Sequence, residues 1–297
     1  MLSLNLYLSL SKPRLCLLVI ITASLSYIIA ASGIPSILQF LSLITGLTLT
    51  SFGAASLNNY IERDYDLYME RTKTRVLPAG LLPPSRALAY GIITSLVGTV
   101  ILVICNNLLT GFLALLTVFL YALVYTPLKR LTWLNTIVGA IPGALPMLGG
   151  WTAATNSIDP GAWVLFTIMF LWQMPHFYAI AWVCREQYKA AGFKMLPSID
   201  EENGNRTFFQ IIIFSVLLLI ASIAPTVYGM TGALYLLTAI SLGIVMILLA
   251  AVVTVHRTTR NAKRLFFYSI IYLPLLLGML ALDIILIKLG FVAAGSI

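Results

Sequence analysis

Residues 35–66 read PSILQFLSLITGLTLTSFGAASLNNYIERDYD. No charged side chain occurs from Pro35 to Leu57, and then Glu62, Arg63, Asp64 and Asp66 follow almost together. Crossing about 30 Å of hydrocarbon takes roughly 20 mostly apolar helical residues. Residues 35–57 therefore read as a membrane span, and Asn58-Asn59-Tyr60-Ile61-Glu62-Arg63-Asp64-Tyr65-Asp66 as its polar continuation at the membrane face.

Similar apolar runs lie near 15–32, 86–105, 107–126, 133–154, 161–183, 207–228, 231–255 and 265–290, which with 35–57 makes nine. They are continuous rather than alternating, so helices are expected and a barrel is not. Composition agrees. Of the 297 residues 60% are hydrophobic and 9% charged, and mean hydropathy is +0.98. A soluble domain carries about 25% charged residues. The fold class is an all-α integral membrane protein, read as a single transmembrane domain over 1–297.

The formal net charge of +8 invites a nucleic-acid partner, but its distribution excludes one. Lys and Arg cluster on one side: around Lys12 and Arg14, within 58–85 and at Arg86, at Lys129 and Arg130, within 184–206, and across 257–264. The opposite loops (33–34, 105–107, 155–160 and 229–230) carry none, and Lys288 is the exception. The positive-inside rule then places the N-terminus and the longer loops 58–85 and 184–206 in the cytoplasm. No Arg- and Ser-rich transit peptide precedes the first span, so the plasma membrane is the expected location. Cys16, Cys105 and Cys184 are scattered, with no CxxC pair, which suggests neither a disulfide framework nor a thiolate metal site.

Those two loops also hold every acidic residue except Asp159 and Asp283. Their spacing after spans two and six suggests a duplicated four-helix unit with a ninth helix added. If helical geometry persists past Leu57, Asn58, Glu62 and Asp66 share one face. Like charges there repel by a few tenths of a kcal/mol, and a hard cation would offset this. Mg²⁺ uses one or two carboxylates plus substrate phosphates. Arg71-Thr72-Lys73-Thr74-Arg75 follows, supplying forks and a point charge for phosphate or carboxylate. Together they describe a diphosphate clamp. A solvated loop, whose acids merely pair the basic excess, is the other reading of the same residues.

The run Asn58 to Gly80 (NNYIERDYDLYMERTKTRVLPAG) resembles the first acidic motif of the UbiA-type intramembrane prenyltransferases, most closely of the members that farnesylate haem. Ordered matches extend the resemblance over nearly the whole chain. They are Ser11-Lys12-Pro13-Arg14, Tyr125-Thr126-Pro127-Leu128-Lys129-Arg130, Gly143-Ala144-Leu145-Pro146 and Trp172-Gln173-Met174-Pro175-His176-Phe177. Tyr188-Lys189-Ala190-Ala191-Gly192, Met195-Leu196-Pro197, Ala262-Lys263-Arg264-Leu265-Phe266 and Tyr268-Ser269 complete the set.

The resemblance implies nine helices around a central cavity open to the cytoplasmic side and to lipid. It implies farnesyl diphosphate as donor, haem b as acceptor, and Mg²⁺ on the diphosphate. A haem-oxidising enzyme, haem A synthase, or a terminal oxidase would receive the product. Asn58, Glu62 and Asp66 stand at the metal-binding positions, with Glu62 where aspartate is usual. Arg71, Lys73 and Arg75 match the catalytic basic run, on diphosphate or on haem propionates. Tyr125, Lys129, Arg130, Tyr188 and Lys189 fall in substrate-binding motifs. The second motif usually carries an acid just before its tyrosine; here that residue is Gln187, and Glu186 is the nearest substitute. Asp200, Glu201 and Glu202 read as a solvated acidic turn.

His176 lies about 12 Å inside span six at 1.5 Å per residue, where a polar ring should face the protein interior. It is either a substrate contact (an axial ligand to haem iron, or a base) or a histidine hydrogen-bonded to a neighbouring helix. His256 reads as interfacial charge, and Asp283 as structural. Pro142, Pro146 and Pro175 are expected to kink their helices, and Tyr125 or Trp172 to line a prenyl pocket. Two alternatives stay open on sequence alone: transfer to an aromatic quinone precursor, and a multi-span transporter.

Overall fold

The computed structural model describes residues 2–31, 36–200 and 203–290. Residues 33–34 and the acids Glu201 and Glu202 lie outside the described residues. In chain order the helices are α1 (Leu2–Leu10), α2 (Pro13–Ala30), α3 (Ile37–Asp66), α4 (Pro84–Cys105), α5 (Leu108–Phe119), α6 (Thr126–Leu131) and α7 (Asn135–Thr155). There follow α8 (Pro160–Val183), α9 (Arg185–Ala190), α10 (Leu196–Ile199), α11 (Asn205–Val227), α12 (Ala233–Val255) and α13 (Thr259–Lys288). A π turn over Leu120–Tyr125 joins α5 to α6, making one span of Leu108–Leu131. Among the described residues nine helices are long and apolar enough to cross a membrane, and no strand occurs.

The ends differ from the apolar runs in an instructive way. Helix α3 continues nine residues past Leu57, to Asp66, and α13 begins at Thr259, ahead of the apolar window. Backbone hydrogen bonding is indifferent to whether the side chain is apolar, so hydropathy marks the lipid-facing length and not the helix. Spans α4 and α5 are parted by Asn106 and Asn107 alone. That suffices because the Asn107 side chain accepts from the Thr110 N–H at 2.8 Å, capping α5. Helices α7 and α8 stay helical through Pro142, Pro146 and Pro175.

The chain divides into two compact units. The first runs through Ile158 and takes in Glu186–Met195; the second comprises Asp159–Arg185 and the chain from Leu196 onward. Five spans thus belong to the first unit and four to the second.

In the first unit α2 packs on α3 and α7, α3 on α4, α4 on α5, and α5 on α7. Helices α3 and α4 approach to backbone contact. A Cβ placed on Gly53 would stand 2.7 Å from the Gly91 carbonyl, and one on Gly98 2.6 Å from the Gly46 carbonyl. Small residues allow such approach where lipid offers no hydrophobic drive between helices. Ser56 adds a hydrogen bond to the Ala87 carbonyl at 2.9 Å. The acidic end of α3 therefore stands on a tightly fixed pair. In the second unit α8 packs on α11 and α13, and α12 also packs on both.

Candidate active site

The end of α3 buries polar groups that lipid alone would not tolerate. Asn58, Glu62 and Asp66 are only 1%, 5% and 0% exposed, and each meets a cation or donor from another segment. The Asn58 carbonyl oxygen accepts from Lys12 Nζ at 2.6 Å, while its amide donates to Thr126 Oγ1 at 3.0 Å. Glu62 Oε1 pairs with Lys129 Nζ at 2.7 Å. Asp66 Oδ2 pairs with Arg75 Nη1 at 2.7 Å, and its backbone carbonyl accepts from Thr72 Oγ1 at 2.8 Å.

Each partner has a local reason for its place. Lys12 has φ 47° and ψ 57° immediately before Pro13. The left-handed region costs a non-glycine residue about 1–2 kcal/mol. This turn ends α1 and starts α2 while sending the lysine to Asn58. Lys129 is delivered by the π turn. Pro127 has no N–H to offer, so the regular ladder fails there, and the Thr126 N–H reaches back five residues to the Tyr121 carbonyl. The inserted residue rotates the side chains of α6 by about 100°. Thr126 then meets Asn58, and Lys129 meets Glu62 over the Tyr125 ring, 4.6 Å from its centroid. Arg75 arrives through tight turns over 67–82, anchored by buried Met69, Thr72, Val76 and Leu77.

Part of the loop that follows α8 closes on the same cluster. The Lys194 N–H donates to the Lys129 carbonyl at 2.6 Å, and the Lys194 carbonyl accepts from the Asn135 amide at 2.9 Å. Gly192, at φ 70°, ends α9 so that the Phe193 N–H reaches the Tyr188 carbonyl at 2.9 Å. Buried Phe193 then packs against Tyr65 and Tyr188. Arg71 donates to the Tyr188 hydroxyl at 2.7 Å, and Arg130 lies over the Tyr65 ring while donating to its hydroxyl.

The structure thus gathers Asn58, Glu62, Asp66, Arg71, Arg75, Tyr125, Lys129, Arg130 and Tyr188. Lys73 is elsewhere: it pairs with Glu70 at 2.6 Å and is 47% exposed, because in a turn its position faces away from Arg75. Lys189 and Glu186 are also exposed. The Gln187 side-chain oxygen instead is buried without a hydrogen-bond partner, so the amide and not Glu186 takes the inward position. Sequence reasoning misses Lys12 and Thr126 as members of the cluster. Lys12 counts there as an inside charge and as part of a matching motif but is given no place in the site, although a lysine wedged between an apolar helix and a proline is a visible signal.

Electrostatically the cluster has more cation than anion, with Lys12, Arg75 and Lys129 around Glu62 and Asp66. Burial lowers the Lys12 ammonium to about 7, Arg75 and Lys129 push the same way, and Glu62 and Asp66 oppose them. Asp66 Oδ1 is buried with no hydrogen-bond partner. A bare carboxylate oxygen in a dry, cation-rich site is the coordination position a hard divalent ion takes. Among the described residues no three His, Cys, Asp or Glu side chains form a metal cage. Two carboxylates and an amide suit an ion that shares its ligands with a bound diphosphate.

In the second unit His176 lies between Trp172 and Phe266, with ring centroids 4.8 and 4.7 Å away. Its Nδ1 is 2.7 Å from Ser269 Oγ. Asp200 is not merely solvated: it accepts from the Thr207 N–H and hydroxyl, both at 2.8 Å, near the start of α11. Asp283 is fully buried and accepts from the Gly232 N–H, capping α12, in keeping with a structural role. His256 is exposed after α12.

Comparison with known proteins identifies the family of this all-helical chain. The chain belongs to the UbiA prenyltransferase family, whose model matches residues 18–271, and it is accordingly an enzyme of prenyl transfer and not a transporter. Its relatives include the protohaem IX farnesyltransferase of Solibacter usitatus, 40% identical over 289 residues and covering 93% of this chain and 98% of that one. The protohaem IX farnesyltransferase of Myxococcus xanthus is 41% identical, covering 93% of each. Two solved structures share the fold. One, from work on digeranylgeranylglyceryl phosphate synthase, gives a TM-score of 0.81 at 18% identity over 96% of this chain and 99% of that one. The other, a UbiA homologue from Archaeoglobus fulgidus bound to GPP and Mg²⁺, gives 0.65 at 13% identity over 93% and 99%.

Proposed function

We propose that the protein transfers the farnesyl group of farnesyl diphosphate to a vinyl group of haem b, with addition of water, giving haem O and diphosphate. The donor's C–O bond breaks and diphosphate leaves with the electron pair. The vinyl carbon bonds to the farnesyl carbon, and water adds to the cation left beside the porphyrin, losing a proton. The buried cluster on α3 is the observation that carries this reading. Nearly full-length relatives called protohaem IX farnesyltransferase supply its acceptor.

Asp66, through its unpartnered oxygen, with Glu62 and Asn58 would hold Mg²⁺ against the diphosphate. When bound, Mg²⁺ neutralises the charge that develops on the leaving group. Arg75, Lys129 and Lys12 are fixed before the reaction, so they stabilise that charge without reorganising. Arg71 and Arg130, held by tyrosines at the cluster's edge, are oriented for an anionic head. Lys73 has no place in this assignment; exposed Lys189 is left to the substrates' anionic ends, and exposed Glu186, itself an anion, has no place against them. Tyr121, Tyr125 and Phe193 offer aromatic surface that keeps water from the allylic cation. His176 is assigned to the haem. The basic loops support a cell-membrane enzyme with its N-terminus and site in the cytoplasm, and haem O would pass to an enzyme oxidising its ring methyl or to a terminal oxidase.

The test is mass spectrometry of products after incubating purified protein with haem b, farnesyl diphosphate and Mg²⁺. Asp66→Asn, which keeps shape and loses the charge, should cut kcat by roughly 100-fold or more and raise the Mg²⁺ requirement. Unmodified haem with a folded wild-type protein would overturn the acceptor; full activity in Asp66→Asn would overturn the metal assignment.

A further inference from the structure

The surroundings of His176 assign its protons. Ser269 has one hydroxyl hydrogen, and Ser269 Oγ lies 2.6 Å from the Phe266 carbonyl, which can only accept. That hydrogen is therefore committed to Phe266. Ser269 Oγ must then act as acceptor in its 2.7 Å contact with His176 Nδ1, so Nδ1 carries a proton. In a neutral imidazole this leaves Nε2 with the lone pair. Nε2 has no hydrogen-bond partner among the described residues and is not among the sealed, unpaired core atoms.

The ring is also immobilised. Trp172 and Phe266 flank it, with interplanar angles of 23° and 31°. Trp172 Nε1 donates to the Ser269 carbonyl at 2.7 Å, pinning α8 to α13 at the residue that orients the histidine. Ser269 itself is fully buried. A histidine kept for structure would be expected to satisfy both nitrogens. Here one nitrogen is tied to a second residue and the other is presented bare, which is how metal-ligating histidines are held.

We propose that His176 Nε2 is an axial ligand to the iron of bound haem, and that Ser269 is a positioning residue that fixes the tautomer and ring orientation. The proposal rests on haem being the acceptor. The lone pair of Nε2 is donated to iron and no proton moves, because Nδ1 already holds the only one. The ligand fixes the porphyrin's position along α8 and leaves the vinyl groups unencumbered at its periphery.

The sequence contains two histidines, which makes the experiment clean. Purified protein is loaded with haem b without prenyl donor, reduced, and its iron–histidine stretch read by resonance Raman. Wild type and His256→Ala should show the band and His176→Ala should lose it, with added imidazole restoring a ligated spectrum. His176→Gln, which can still bond Ser269, replaces the alanine variant if that one aggregates. Ser269→Ala should bind haem about tenfold more weakly with the band moved to lower frequency, and Ser269→Thr should restore both. A band that survives in the His176 variants, or is unmoved in Ser269→Ala, overturns the proposal. Haem O formation by a wild type that lacks the band overturns ligation and leaves the transfer reaction standing. Absence of both haem binding and product overturns the reaction and the ligation with it.

Discussion

Glu62 and Lys129 are the residue pair on which site and stability meet. Their side chains are 6% and 16% exposed and 2.7 Å apart. Removing one charge from such a pair strands the other, at a cost of about 3–5 kcal/mol, whereas removing both is often close to neutral. Glu62→Gln and Lys129→Met should therefore each lower the thermal midpoint in detergent. The double variant should recover most of it while prenyl transfer stays depressed. A double variant as unstable as the singles would show that the charges are not coupled. At this scale the sequence is readable where a single helix decides the outcome. The four-residue spacing of Asn58, Glu62 and Asp66 needs only that α3 continue. It is unreadable where turns decide. Arg71, Lys73 and Arg75 alternate evenly in sequence, yet Lys73 turns to Glu70 while Arg75 turns to Asp66. Lys12 is hidden for the same reason, its direction being set by one left-handed residue.

At the scale of elements, the π turn between α5 and α6 aims Thr126 and Lys129. Pro127→Ala would return the missing donor and permit a regular helix through Leu120–Leu131. The extra residue per turn would be released and the side chains beyond it would rotate by about 100°. Activity should fall at least tenfold with the thermal midpoint unchanged or higher, since an interior proline costs a helix about 3 kcal/mol. Unaltered activity would mean the π turn is held by packing and not by the proline. Apolar runs announce all nine spans but not this turn. Its hydrophobicity matches any other stretch of the span, and only the Tyr-Thr-Pro step marks it. The helical reach of α3 to Asp66 and of α13 back to Thr259 escapes hydropathy because those turns carry polar side chains, to which the backbone ladder is indifferent.

For the whole molecule, the distribution of Lys and Arg predicts which end faces which compartment. Cys105, exposed at the end of α4, should react from outside with a membrane-impermeant maleimide in right-side-out vesicles of a variant lacking Cys16 and Cys184. A cysteine placed at exposed Glu70 should react only after permeabilisation. The reverse pattern would invert the topology and move the site to the opposite side.

The membership of Glu186–Met195 in the first unit, although α8 precedes it in the chain, has a consequence in time. As the chain leaves the ribosome, α1 to α7 carry Lys12, Asn58, Glu62, Asp66, Arg75 and Lys129, but not Tyr188 or Phe193. Arg71 has no Tyr188 hydroxyl to hold it, and the Lys129 carbonyl has no Lys194 N–H, until the sixth span has been synthesised and the chain has doubled back. The nascent protein therefore carries its charged cluster exposed on one flank through the making of α8, and that flank is closed by a later stretch of the same chain.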